Sequence, residues 1–112
     1  MSIELRGTDF EKGPTPLRKF DSSDSSGIYA ILTPTEKEHK WRVLYFGESG
    51  HLSKRGFPDT HEKYPCWKKE AGSDNNIYIA IHSMIGKSMD ERKKKETELI
   101  HSGNGMPPCN EK

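Results

Sequence analysis

Residues 76 to 82 read Asn-Ile-Tyr-Ile-Ala-Ile-His, and this alternation constrains the fold more than any other feature of the chain. Successive side chains of an extended backbone point to opposite faces. The isoleucines at 77, 79 and 81 therefore share one face, and Tyr78, Ala80 and His82 share the other. The pattern predicts a half-buried strand. Two more runs carry strand composition: GIYAILT at 27 to 33, bounded by Pro34, and WRVLYFG at 41 to 47, which stops at a glycine. The polar connector TEKEHK at 35 to 40 joins them, which predicts an antiparallel hairpin with a loop longer than the commonest turns.

The clearest helix is expected over residues 87 to 101. Ser88 and Glu91 have the spacing of a capping box, and Gly103 sits where a helix would stop. A short helix is expected over 49 to 55. A further one is expected over 60 to 71, around Tyr64 and Trp67, although Pro65 opposes it. Residues 1 to 26 are polar, with Pro14, Pro16 and the tract DSSDSS, and read as an N-terminal arm. Within that arm, Ile3 and Leu5 could form a short edge strand. The remaining residues, 27 to 112, form the expected domain. The fold class is α+β, a small three-stranded antiparallel sheet covered by helices.

A chain of 112 residues, 30% apolar and 31% charged, holds one modest core. It has no run of 18 apolar residues, so no membrane span is expected. The opening MSIELRGTDFEKG lacks the apolar region of a secretory signal. Cys66 and Cys109 lie far apart with no CxxC spacing, which argues for a reducing compartment over a disulfide framework and for a cytoplasmic protein. The net charge is +1. Bulk charge therefore cannot grip nucleic acid, and any contact must come from a local patch. The candidates are Lys54 with Arg55, then Lys63, Lys68 and Lys69, then the run 92 to 95.

One carboxylate conflicts with an ordinary core. Helical spacing from Met89 leads through Arg92 and Lys93 to Glu96, and then to Leu99 and Ile100. Glu96 thus lies on the stripe expected to meet the sheet, whereas Glu98 falls off it. An inward carboxylate needs a partner. That partner is either an internal cation, with Arg92 four residues away, or a metal.

Read together, these residues form a pattern. Gly27, Ile28 and Tyr29 open the first strand, and Tyr45, Phe46 and Gly47 close the second run. Arg55 follows Gly47 by eight residues, Leu99 and Ile100 follow Glu96 by three and four, and Pro107 precedes Asn110 by three. Over residues 27 to 110 the chain resembles the GIY-YIG nuclease family, whose pattern runs GIY, YIG, Arg, E-x-x-L-I and a terminal Asn. It departs in three places. Phe46 stands where isoleucine is usual. Asp59 occupies a position that is often His or Tyr, with His61 the nearest imidazole. Gly103, Asn104 and Gly105 lengthen the segment before Asn110.

The resemblance implies a metal-dependent endonuclease that hydrolyses phosphodiester bonds, most simply in DNA, with RNA as the other candidate. It implies Tyr29 as general base, with His61 or the metal as the cation that would lower its pKa. Tyr45 would share a hydrogen bond with Tyr29 or a water. Arg55 would grip the phosphate with its planar fork, and Asn110 would position the tail or a phosphate. Glu96 would hold one Mg²⁺ or Mn²⁺ that keeps several waters. Lys54, Arg55, Lys68 and Lys69 would bind the nucleic acid. Glu48 fits a solvated turn better than a metal ligand, and Trp41 and Trp67 fit the core or hairpin better than base stacking. The expected assembly is a monomer or homodimer, with a targeting partner where the short chain cannot select a site itself. The competing readings are a non-catalytic nucleic-acid binder that keeps the fold and a protein-interaction domain.

Overall fold

The computed structural model describes residues 2–20, 26–36, 40–49, 61–103 and 105–111. Its frame is a four-stranded antiparallel sheet. The strand at residues 27 to 33 extends by one residue as Gly27–Pro34, and the strand at 41 to 47 extends to Trp41–Ser49. The strand at 76 to 82 begins later, as Tyr78–Ser83. In chain order the strands are β1 (Ile3–Leu5), β2 (Thr8–Phe10), β3 (Lys12–Pro16), β4 (Gly27–Pro34), β5 (Trp41–Ser49) and β6 (Tyr78–Ser83). The sheet order is β3-β6-β4-β5, while β1 and β2 form a separate hairpin.

The sheet therefore has four strands where three were expected, and the extra one comes from the segment read as an arm. β3 pairs with β6, and Phe10 and Leu5 are buried. Residues 2–20 are built into the domain. Their low apolar content hid this, because a three-residue strand needs only one or two buried side chains to pack.

Interior position explains the composition of β4 and β6. Every residue of β4 from Gly27 to Thr33 is buried, because this strand has neighbours on both sides and layers on both faces. On one face lie Tyr29, Ile31, Ile79 and Ile81, packed with Leu17, Tyr64, Trp67 and Cys109. On the other lie Ile28, Ala30, Leu32 and Ala80, packed with Leu5, Phe10, Phe46 and Leu99. The first face is covered by α1 (Tyr64–Ala71) and the short α3 (Pro108–Glu111). The second is covered by α2 (Met89–His101) and the β1–β2 hairpin.

A register shift in β5 decides which side chains reach which face. Ile31 pairs with Tyr45 but Leu32 pairs with Val43, so Leu44 is an extra residue opposite no partner. Such a bulge changes the side-chain phase of a strand. Tyr45 and Leu44 consequently join the α1 face, while Val43 and Trp41 join the α2 face together with Phe46.

The helices follow local rules. α1 tolerates Pro65 because it falls in the first turn, where the missing N–H costs nothing. Gly72 then ends α1 in the left-handed region at φ 82°. α2 carries the capping box of Ser88 and Glu91 in both directions. Its C-terminal carbonyls are closed from a distance. The Arg6 guanidinium donates to Leu99 O and Ile100 O, each at 2.9 Å, and to Gly105 O at 2.8 Å. A cation here complements the negative end of the helix. Met89, expected on the buried stripe, is instead 53% exposed, because the stripe meets the sheet only from Arg92 onward. Of the helix expected over 49 to 55, Ser49 belongs to β5 and the rest lies outside the described residues.

Cys66 and Cys109 form a disulfide that ties α1 to α3, contrary to the expectation from their spacing in sequence. Residues 43 apart in the chain meet because both helices cover the same face of the sheet.

Candidate functional site

The site grows from the end of the sheet where β4 begins and β5 finishes. Tyr29 pairs with Gly47 across these strands, and its ring lies over that glycine. A Cβ at position 47 would stand 2.3 Å from the ring carbon that bears the hydroxyl, so only glycine admits the tyrosine here. Tyr45 follows on the same face, its ring 6.0 Å from that of Tyr29, and the two hydroxyls share a hydrogen bond. Trp67 of α1 closes the wall, packed 5.5 Å from Tyr45 and 4.6 Å from His61. It is fully buried, which fits the core role expected of it.

His61 makes the decisive polar contact. Its Nε2 lies 2.8 Å from the Tyr29 hydroxyl, and its Nδ1 accepts the Lys63 backbone N–H at 3.0 Å. Burial pushes the imidazole below its ordinary pKa, favouring the neutral ring. A neutral ring that accepts at Nδ1 carries its proton on Nε2. His61 therefore donates to the Tyr29 oxygen, and the Tyr29 hydroxyl is directed to Tyr45. In this tautomer His61 stabilises negative charge on Tyr29 without being a cation.

Glu96 approaches from α2 and is half-buried. Its carboxylate accepts a hydrogen bond from the backbone N–H of Glu48, at the end of β5. Burial, followed by the neighbouring Glu48 carboxylate, raises its pKa above the ordinary carboxylate value. Burial is also the first cause of the upward shift of Tyr29, to which Tyr45, Glu96 and Glu48 add. Tyr45 is raised by burial and then by Glu96. Glu96 thus lies within electrostatic reach of both phenols, although α2 covers the opposite face of the sheet.

Two residues depart from their expected places. Glu48 is not a solvated turn residue: it pairs with Arg92 at 3.1 Å, and only 16% of its side chain is exposed. Arg92 is thereby committed to Glu48, not to Glu96 as the internal-salt-bridge alternative required. No motif marked Glu48 and Arg92 as a pair. The available signal was that Arg92 precedes Glu96 by one helical turn, and hence faces the same strand end.

Asn110 clasps the strand that carries the site. Its Oδ1 accepts the Phe46 N–H at 2.9 Å, and its Nδ2 donates to Phe46 O at 3.0 Å. β5 is an edge strand, so these bonds and the Glu96 contact satisfy backbone groups that no neighbouring strand reaches. Phe46 itself is fully buried on the α2 face, where an aromatic ring substitutes readily for isoleucine. Lys68 and Lys69 lie on the exposed side of α1, with Lys68 Nζ 5.4 Å from the centre of the Tyr64 ring. Lys54, Arg55 and Asp59 lie outside the described residues.

Among the described residues, no group of three or more His, Cys, Asp or Glu side chains could cage a metal ion. No helix among the described residues is long and apolar enough to cross a membrane. No model of a known protein family matches the chain, and no curated protein or solved structure matches it significantly.

Proposed function

We propose that the chain is a metal-dependent endonuclease of the GIY-YIG type that hydrolyses phosphodiester bonds in DNA. The observation that carries this reading is the convergence of two strand phenols, an imidazole and a helix carboxylate around Gly47. Tertiary folding brings these four groups together from sequence positions 29 to 96. A structural core has no need of that polar set, because each buried polar group costs free energy unless it is matched.

The donor chemistry suits a hard divalent cation. Glu96 offers a half-buried carboxylate, and the phenols offer further oxygens. Mg²⁺ commonly binds through one or two carboxylates and keeps several waters, so a caged site is not required. When bound at Glu96, Mg²⁺ or Mn²⁺ would supply positive charge to the leaving oxygen. As a phenolate, Tyr29 would take the proton of the attacking water and return to the neutral phenol, and the Nε2–H of His61 stabilises the charge on the phenolate oxygen that precedes this transfer. Tyr45 holds the second hydrogen bond to that oxygen. Trp67 and the disulfide-bound α3 keep this face packed. Asn110 fixes β5 in register beside it, and Arg55 grips the phosphate with its planar fork. Lys54, Lys68 and Lys69 extend the contact along the backbone of the nucleic acid.

Burial, then Tyr45 and the two carboxylates, hold Tyr29 above its ordinary pKa, so positive charge beside Glu96 would favour loss of its proton. The proposal therefore requires cleavage to depend strictly on the divalent ion. Supercoiled plasmid incubated with purified protein and Mg²⁺ or Mn²⁺ should be nicked or linearised. Glu96→Ala and Arg55→Ala should abolish this. Shifted but intact DNA with all three proteins would instead identify a non-catalytic binder.

A further inference from the structure

We propose that Arg92 is a positioning residue of this site: its ion pair with Glu48 cancels a second carboxylate beside Glu96, so that the centre accepts both a divalent cation and a phosphodiester anion. The inference rests on the nuclease reading above and extends it to residues outside the motif.

Glu48 and Glu96 come from different elements, the end of β5 and the middle of α2. The hydrogen bond from Glu48 N–H ties Glu96 to the end of β5, and the Glu48 carboxylate lies within electrostatic reach of it. Arg92 lies one helical turn before Glu96 and reaches Glu48 Oε2 through Nε at 3.1 Å. Its Nη1 donates to Lys87 O at 3.0 Å, which anchors the guanidinium at both ends. Only 13% of the Arg92 side chain and 16% of the Glu48 side chain are exposed. Lys93 also faces Glu96 electrostatically, but it is exposed and screened by solvent.

Such a pair gives weak stability, because desolvating two charges offsets most of their attraction. Its position beside Glu96 supplies a better reason for it. Two carboxylates and one guanidinium leave a single net negative charge. A divalent cation turns this positive by one unit, and a phosphodiester anion is then attracted. Without Arg92 the two carboxylates alone neutralise the cation, and the centre itself no longer attracts the anion. Arg92 therefore trades metal affinity for substrate affinity. A side chain that merely supported the fold would not move these two quantities in opposite directions.

The test measures Mn²⁺ binding to the full chain by the electron paramagnetic resonance of free Mn²⁺, beside the KM for plasmid cleavage. R92Q should bind Mn²⁺ on the order of tenfold more tightly, while KM rises by a similar factor. E48Q should bind Mn²⁺ more weakly by a comparable factor, because the guanidinium then stands unopposed. E48Q/R92Q should return both values close to wild type. Where R92Q does not fold, E48Q and the double variant still decide, since the double variant buries neither charge: equal Mn²⁺ affinity in these two overturns the proposal. Weaker binding of both metal and DNA by R92Q, unrestored in the double variant, also overturns it. Wild-type protein that fails to bind Mn²⁺ removes the metal-dependent nuclease reading and this inference together. Wild-type binding with unchanged affinity in every variant removes only this inference.

Discussion

The two faces of the sheet are built from the same three long strands yet are chemically unlike. The α2 face is mainly aliphatic and aromatic, with Ile28, Ala30, Leu32, Phe46, Phe10 and Leu99 packed together. The α1 face buries Ile31, Ile79 and Ile81 as well, but adds the three phenols of Tyr29, Tyr45 and Tyr64, an indole, an imidazole and a disulfide. Strand alternation makes this division, because neighbours such as Ile28 and Tyr29 cannot face the same way. One face can therefore serve as an apolar foundation while the other carries polar chemistry at its open end. Gly47 is where the two meet: it lets the Tyr29 ring lie over β5, within electrostatic reach of Glu96 on α2.

The division is broken most severely from the apolar side. Phe10 is fully buried against Phe46 and the ring of His82. Phe10→Ala should cost about 3–5 kcal/mol, read as a lower urea midpoint. Cleavage per folded molecule should stay near wild type at low temperature. Loss of cleavage in protein that remains folded would show that the faces are not separable.

The disulfide comes next. Reduction, or Cys66→Ser with Cys109→Ser, should lower stability by about 2–4 kcal/mol, the usual range for a bridge closing a loop of this size. Hydrogen exchange should quicken in β5 around Phe46, because Cys109 adjoins the Asn110 clasp. Unchanged exchange there would mean that the clasp holds without the bridge.

Gly47→Ala tests the meeting point. Forcing a methyl group against the Tyr29 ring should cost about 1–3 kcal/mol. Displacing the phenol by about an ångström should reduce cleavage on the order of a hundredfold. Measured at a temperature where the variant is folded, cleavage at the wild-type rate would remove Tyr29 from the chemistry.

Much of this division was legible in the sequence, for identifiable reasons. The alternation at 77 to 81 and the continuous run at 27 to 33 revealed the two interior strands, since burial leaves a periodic mark. The capping box of α2 was equally plain. β3 was missed because two prolines and a glycine gave it no strand pattern, although it needs to bond along only one side. The side-chain phase of β5 could not be read either. A bulge at Leu44 depends on pairing with β4 and leaves no local signature. In the candidate site, the phenols and Glu96 were visible through the motif and the helical stripe. The Arg92–Glu48 pair and the disulfide were not, because each joins elements whose approach only the finished fold determines. Asn110 was read as a residue that positions the tail or a phosphate, whereas its side chain completes the exposed edge of a strand.

The smallest expected effect separates the faces by acidity. Burial holds the His61 pKa below its ordinary value near 6.5, so the unfolded chain takes up the proton first as pH falls. The stability that the neutral ring contributes is present in full above about pH 6.5 and declines as pH drops toward the folded-state pKa. Glu96 acts in the opposite sense: its raised pKa makes the folded chain bind a proton earlier than the unfolded one, which offsets part of the loss at lower pH. Urea titrations between pH 7.5 and 5 should show wild type losing more stability than His61→Gln once the pH falls below about 6.5. Below the folded-state pKa of His61, where the ring is protonated in both states, the difference between the two proteins should stop growing. Parallel curves for wild type and His61→Gln would mean that the imidazole is as free to ionise in the fold as in water, and the donor role assigned to Nε2–H beside Tyr29 would lose its basis.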